Sequence, residues 1–438
     1  MFGSESYIVI ADLFRYNEIN SSAALLPVIV SLACALVPQA FFKRSFVMEQ
    51  LTSAKKENRL MTATLFVFFV SGASSVLMGN LMPFLRQMYD ISYARAGLLL
   101  SLPSWGNLAS IFITGYLPTY IGRRKTVLLT SVWMTVAFIL ITFGIGGAGA
   151  LSLACLMMGV ARGGNTNFSN TMMSTLPGKK SAIGYNLLHG AFAVGAVLSP
   201  LALIACTRNN DMGWRIMTAG IVILCLTQLT VYSRMNLPAE NITRSIKKVD
   251  RGFLKNKSFW LGAAILFFYI SAEYAIVNWL VTYFKDTGIL SPEVSQLMTS
   301  LLWVVIFIGR MIGAALVGKV SRKIILVVDG VGLLVFFLLV FFSRSELPIF
   351  LGIMGVGLFM ATIYTSALAL GTESIKGNDL GVSTMIFAGS TGGIITPAVV
   401  GMVAENAGIQ MGMGVVVAVT VLLLITILVS VCTKDSDE

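Results

Sequence analysis

Charge is scarce in this sequence: Asp, Glu, Lys and Arg make up 12% of its 438 residues, roughly half the share of an ordinary soluble domain. So few charges cannot clothe a water-exposed surface of that size, and the 56% of residues that are hydrophobic need a bilayer around them. Histidine occurs once, at His189, which argues against a multi-histidine metal site. The five cysteines (Cys34, Cys155, Cys206, Cys225 and Cys432) lie within or at the edge of apolar stretches and form no CxxC pair. They read as small buried hydrophobes, not as disulfide or metal partners. No phosphate-binding loop follows a strand, and no nucleophile, base and orienting group recur at catalytic spacing, so an enzyme is not expected. No cofactor and no metal are expected either. The net charge of +11 would suggest nucleic acid in a soluble protein. Here the Lys and Arg residues sit in loops between apolar runs, which points to control of membrane topology and to no nucleic-acid partner.

What is abundant is apolar sequence in runs of about 20 residues, the length that spans a bilayer. Such windows cover 61–83, 94–119, 125–147, 149–175, 182–206, 213–235, 258–285, 292–319, 323–343, 347–371, 380–404 and 409–432, twelve in all. The class is therefore an all-α membrane protein of twelve transmembrane helices. A further apolar segment, residues 22–42, precedes them. It reads as an additional N-terminal helix or as an upstream extension, with translation starting at Met48 or Met61. A cleaved signal peptide is not expected, because residues 1–21 carry Glu5, Asp12 and Glu18 and lack a basic start. The loops fall into two alternating sets. One set, including KRSFVMEQLTSAKKENR, GRRK, PGKK, NLPAENITRSIKKVDRGFLKNK, GKVSRK and SIKGND, holds most of the positive charge. That set is expected on the cytoplasmic side together with the C-terminal tail, with the chain in the plasma membrane.

The windows also repeat. Gly106 and Gly115 lie nine apart in the second helix and Gly309 and Gly318 nine apart in the eighth; GAVLSP begins at Gly195 in the fifth, and GGIITP at Gly392 in the eleventh. Two landmarks with nearly the same offset predict a duplicated six-helix unit, whose substrate site lies between the halves near the midplane. The expected divisions are an N-terminal extension over 1–60, a six-helix bundle over 61–235, a cytoplasmic linker over 236–257, and a second bundle with a short tail over 258–438.

Polar residues inside the spans mark candidate chemistry. The fourth helix holds Arg162, Asn165, Thr166, Asn167, Ser169, Asn170 and Thr171 within ten positions. An arginine at mid-membrane costs about 2.5–3.5 kcal/mol on insertion scales, so this helix faces protein or a water-filled cavity. Glu273 is the clearest mid-membrane acid and the candidate for proton coupling, or else for a permanent pair with Arg162 or Arg310. Tyr274, Asn278 and Trp279 follow it, offering the rings and amides that a sugar's apolar face and hydroxyls require. Asn186 and His189 share one face of the fifth helix, and Arg310 reads as intracellular gating or packing. Trp105, Asn107, Asn80, Trp303 and Tyr364 are weaker candidates. In GYLPTYIGRRK, Gly115 is expected to allow close helix approach while Arg123, Arg124 and Lys125 hold the turn inside.

That loop, with the duplicated halves, resembles the major facilitator superfamily, whose signature reads roughly G-x-L-A-D-R-x-G-R-R/K. Gly115, Leu117, Gly122, Arg123 and Arg124 fit it, while Thr119 stands in place of the aspartate and Tyr120 in place of the arginine. The stretches GNLMPFLRQMYDISYARAGLLLSL, AEYAIVNWLVTYF, WVVIFIGRMIGAALVG and GTESIKGNDLGVSTMIFAGSTGGIITPAVVGMVAENAG are similar to the fucose, galactose and glucose symporter branch. The resemblance implies alternating-access transport of a small polar solute, typically a sugar, driven by a proton or sodium gradient, by a protein expected to act as a monomer. It also implies that Thr119, lacking the acid, weakens a latch on the inner side. Branch members place coupling acids in the first and fourth helices; here the first has none and the fourth has Arg162. Glu273 is the remaining acid for that role if the protein is not a facilitator. An organic-anion carrier or drug exporter using Arg162, and a non-transporting membrane sensor, are the competing readings.

Overall fold

A computed structural model describes residues 53–176, 179–210, 212–235, 252–316, 319–373 and 379–433. The segment 22–42 and most of the expected linker lie outside the described residues. Every apolar run among the described residues forms a helix, as it must where no water is available to satisfy backbone N–H and C=O groups. In chain order the helices are α1 (Ser53–Tyr89), α2 (Tyr93–Ile121), α3 (Arg123–Phe143), α4 (Gly147–Ser174), α5 (Lys179–Thr207), α6 (Gly213–Ser233), α7 (Lys257–Thr287), α8 (Pro292–Leu316), α9 (Arg322–Phe342), α10 (Glu346–Met360), α11 (Ile363–Glu373), α12 (Asp379–Ala407) and α13 (Ile409–Cys432). Among the described residues, twelve spans are long and apolar enough to cross a membrane. The extra helix arises because the tenth span is interrupted at Ala361 and Thr362, which divides it into α10 and α11. The sequence reading had this span as one helix, since no proline or charge marks the break. A one-turn 3₁₀ helix, Gly252–Lys255, leads into α7.

The duplication seen in the sequence is a duplication of helix contacts. A Cβ on Gly106 would sit 2.2 Å from the carbonyl oxygen of Leu156, and one on Gly309 would sit 2.9 Å from that of Leu358, so α2 presses on α4 as α8 presses on α10. Likewise a Cβ on Gly195 would meet the carbonyl oxygen of Phe69 at 2.1 Å, and one on Gly392 that of Phe267 at 2.4 Å. Helix α5 therefore rides on α1 as α12 rides on α7. Only glycine permits such backbone contact, and close approach of small residues is what holds helices together where lipid offers no hydrophobic drive.

The two six-helix units meet along three helix pairs, α1 with α7, α2 with α12 and α5 with α8. Call the side bearing the α2–α3, α4–α5, α6–α7, α8–α9 and α11–α12 junctions the basic face, after its loops. On the opposite face the units are sealed. The backbone of α2 at Gly97 lies against Pro397, Ala398 and Gly401 of α12. The Trp279 indole N–H donates to the Pro397 carbonyl at 3.1 Å, and the Ser300 hydroxyl donates to that of Val197 at 3.0 Å. Four helix ends are tied together there: Arg86 of α1 pairs with Asp286 of α7 at 2.5 Å, the Tyr93 hydroxyl of α2 donates to the same carboxylate at 2.8 Å, and the Ala94 amide donates to Glu405 of α12 at 3.3 Å. Exposed apolar side chains run along both helices, from Leu98 and Trp105 to Tyr116 and Tyr120 on α2 and from Leu297 to Met311 and Ile312 on α8. On α5, Asn186 and His189 are exposed as well.

Candidate functional site

At the junction of the units, α4 of the first and α7 of the second bring charge and aromatic rings together. The first turns of these polar segments are set by apolar neighbours: Met158, Ala161 and Ala154 of α4 and Ile270, Ala272 and Ala275 of α7 are buried, which fixes the rotation of each helix and turns Arg162 and Glu273 toward one another's unit. Arg162, 9% exposed, donates from Nη1 to the Ser75 hydroxyl of α1 at 2.7 Å and from Nη2 to the Tyr274 hydroxyl of α7 at 3.4 Å. Its guanidinium carbon is 5.9 Å from the Tyr274 ring centroid, within range of a cation–π attraction. Glu273, one residue earlier on α7, shares a hydrogen bond with Tyr269 and lies within the electrostatic reach of Arg310 on α8 and of Arg162. Tyr269 stands 6.3 Å from Tyr364 of α11, centroid to centroid. Arg310 also acts on His189 of α5, whose ring meets Phe68 edge-on at 6.1 Å. Phe192 and Trp303 close that side at 5.7 Å.

Glu273 makes no ion pair within 4.0 Å with either arginine among the described residues, where the close pairs are Arg86–Asp286 and Lys180–Glu57. The acid is near two cations and bonded to neither, held by a tyrosine hydroxyl. Such an arrangement lets a carboxyl group exchange a proton and respond to an incoming charge, which a locked salt bridge would oppose.

Comparison with known proteins now settles the kind of machine. The model of the Major Facilitator Superfamily matches residues 64–388. The chain belongs to this superfamily. Among curated proteins it is 22% identical over 373 residues to a putative glucose/galactose transporter of Helicobacter pylori, covering 80% of this chain and 90% of that protein. It is 20% identical over 346 residues to a TsgA homolog of Buchnera aphidicola, covering 78% and 87%. Among solved structures, a D-xylose-proton symporter superposes with a TM-score of 0.72 at 14% identity, covering 85% of this chain and 97% of that one. A bacterial homolog of the human lysosomal transporter Spinster, in an inward-facing and unoccupied conformation, gives 0.73 at 13%, covering 86% and 98%. At these identities the structural likeness concerns the fold alone.

Within a major facilitator fold, the remaining sequence candidates separate by what they touch. Asn165 is 1% exposed and accepts from the Gln228 amide of α6 at 3.2 Å, while Gln228 also donates to Ser131 of α3 at 3.1 Å. The Asn165 amide reaches Ser71 of α1 at 3.5 Å. This network binds four helices of one unit to each other. Asn167 donates to Thr114 of α2 at 2.8 Å, and the backbone oxygen of Asn170 accepts from Tyr185 at 2.9 Å. Trp279 is wholly buried in the seal described above. Asn278 is 9% exposed and its amide has no bonded partner among the described residues. Ser75 and Tyr269 were missed by the sequence reading, which weighed charge and amides and had no means of telling these hydroxyls from the many others in the spans.

The loop after α2 is shorter than its sequence suggests. Helix α2 runs through Pro118 to Ile121, α3 begins at Arg123, and Gly122 alone makes the junction at φ +82°. Gly115 lies inside α2. Thr119 donates to its own helix, at the Tyr116 carbonyl, at 2.6 Å. Arg124 donates to the Ser233 carbonyl at the end of α6, so this basic residue caps a helix C-terminus, where a cation is favoured.

Proposed function

We propose that this protein is an alternating-access transporter of a small, hydroxyl-rich solute of the sugar class, coupled to protons through Glu273. The observation that carries the reading is the Arg162–Tyr274–Glu273–Tyr269–Arg310 cluster, drawn from both units, with the units sealed together on one face. Transport requires a central site whose access alternates, and parallel-repeat transporters build it between their halves. Arg162, Tyr274 and Asn278 meet the solute; Asn170, Asn186 and His189 border the path to it. Asn165, Asn167 and Trp279 hold helices in place. The division into units at 61–235 and 258–438, with a linker over 236–257, follows the duplicated glycine contacts. The basic face is cytoplasmic, which puts the C-terminus inside and makes the conformation inward-open, in the plasma membrane. No covalent chemistry is required of the protein, and a single chain contains the whole path. Gly115, Thr119, Arg123 and Arg124 belong to the inner gate, with Arg310 linking that gate to the centre.

Proton coupling has a direct test. Purified protein in vesicles is given an inward proton gradient, and accumulation of a labelled substrate is compared with exchange of the same substrate at equal pH on both sides. Glu273→Gln, which keeps the size and removes the proton-binding group, is expected to abolish accumulation and to spare exchange. Accumulation that persists unchanged in this variant would refute the role given to Glu273.

A further inference from the structure

The charges at the centre do not balance. Two guanidinium groups, Arg162 of α4 and Arg310 of α8, lie within the electrostatic reach of one carboxylate, Glu273. Arg162 has a short bond to Ser75 and a long one to Tyr274. Arg310 has no hydrogen bond or ion pair among the described residues; its charge is felt by Glu273, His189 and Tyr269. The other acid deep within the described spans, Asp329 of α9, is turned to the Thr362 hydroxyl and has no part in the cluster. The titratable groups in electrostatic or hydrogen-bonding reach of Glu273 are Tyr269 of α7, Arg162 of α4, Arg310 of α8 and Tyr364 of α11, with no second acid among the described residues. An uncompensated cation inside a membrane is costly and marks the place of a partner.

Resting on the transporter reading above, we propose that the substrate is a hydroxylated monocarboxylate, a sugar acid, whose carboxylate is held between Arg162 and Arg310. Guanidinium groups match a carboxylate with paired, charge-assisted hydrogen bonds. The Tyr274 and Tyr269 rings and the Asn278 amide are left for the carbon chain and its hydroxyls. The charge then closes over the cycle. The empty site with Glu273 ionised carries one net positive charge. The loaded site, with a proton on Glu273 and a monoanion on the arginines, carries the same charge. One proton and one anion thus cross together without moving net charge, whereas a neutral hexose taken with a proton would move one positive charge.

The test uses the full chain reconstituted in vesicles, with D-gluconate, D-galacturonate and D-galactose at matched ionic strength. The expected result is that the two acids raise the melting temperature and are accumulated under a proton gradient, that galactose does neither, and that an imposed potassium-diffusion potential leaves acid uptake unchanged. Arg310→Gln is expected to weaken acid binding at least about tenfold, with Arg310→Lys intermediate. The comparison of substrates on the unaltered protein stands even where a variant does not fold. Stabilisation and potential-sensitive uptake by galactose, with no response to the acids, would overturn the substrate assignment and leave the transporter reading intact. Acid uptake that follows the potential would overturn the electroneutral cycle. No binding and no flux of any of the three compounds would overturn the assignment together with the placement of the transport site in this cluster.

Discussion

Cutting the tie between Arg86 and Asp286 should shift the protein away from the conformation described here. The pair bridges the ends of α1 and α7 at 2.5 Å, with side chains 18% and 22% exposed. The Tyr93 hydroxyl shares the carboxylate at 2.8 Å, and the Arg86 guanidinium lies 3.6 Å from the Tyr93 ring centroid. A partly exposed ion pair contributes up to about 1 kcal/mol, a stacked arginine about 0.5–1 kcal/mol, and a hydroxyl bond to a charged acceptor about 1 kcal/mol once solvent is counted. Asp286→Asn keeps one acceptor and loses the charge, so about 1–1.5 kcal/mol of the seal should go, roughly a five- to tenfold change in the ratio of the two states. Asp286→Ala should cost about 2 kcal/mol, near thirtyfold. Single cysteines placed on the two faces report the shift: labelling should rise on the face that holds Arg86 and fall at position 186 on the basic face. The effect should shrink as salt is raised, because the pair is screened. Unchanged labelling on both faces would show that the backbone contacts of α2 with α12 close this end unaided, and the reasoning would fail.

Other substitutions test individual contacts. Trp279→Phe removes the indole bond to Pro397 while keeping an aromatic ring, and should cost about 1 kcal/mol of the same seal, raising labelling on the same face. Gly106→Ala would press a methyl group 2.2 Å from the Leu156 carbonyl oxygen; α2 and α4 must part, and a loss of about 1–3 kcal/mol should appear as a lower melting temperature in detergent. Gln228→Leu leaves the Asn165 oxygen and the Ser131 hydroxyl without the amide each now contacts, costing about 1–3 kcal/mol in thermal stability with no change in substrate affinity; an altered affinity would place Asn165 in the binding site itself. At Gly122, φ is +82° with open space around a would-be Cβ, so Gly122→Ala should cost about 1–2 kcal/mol through backbone strain alone, visible in the same melting assay.

The architecture was legible because two of its requirements leave marks in composition. Spanning a bilayer needs about 20 apolar residues at a stretch, and helices that touch backbone to backbone need glycine at the contact. Gly106 with Gly309 and Gly195 with Gly392 carried both the duplication and, as the contacts of Leu156, Leu358, Phe69 and Phe267 now show, its physical cause. The break at Ala361 and Thr362 left no such mark: neither residue is a helix breaker, and it lies where Thr362 packs against Gly313 of α8. The turn after α2 was placed too broadly for a related reason, since Pro118 was accommodated inside the helix and only Gly122 bends the chain.

For the site, charge pointed to helices that meet at the junction of the units and could not assign roles within them. Arg162 and Glu273 stood out because ions are costly in lipid, and both came to the junction of the units. The four amides of α4 and α5 looked alike in sequence, yet their positions differ: Asn165 closes a network with Gln228 and Ser71, Asn167 bonds to Thr114, and Asn186 is exposed toward the basic face. What separates a binding amide from a structural one is the residue opposite it, which lies 50 to 100 positions away in the chain and is invisible to any local pattern. Arg310 shows the converse. Its setting in IGRMIG suggested gating or packing; only its electrostatic reach to Glu273 and His189 from another helix reveals the surplus positive charge. That one carboxylate lies within the electrostatic reach of two arginines on other helices is a tertiary relation, and the proposed sugar-acid cargo rests on it.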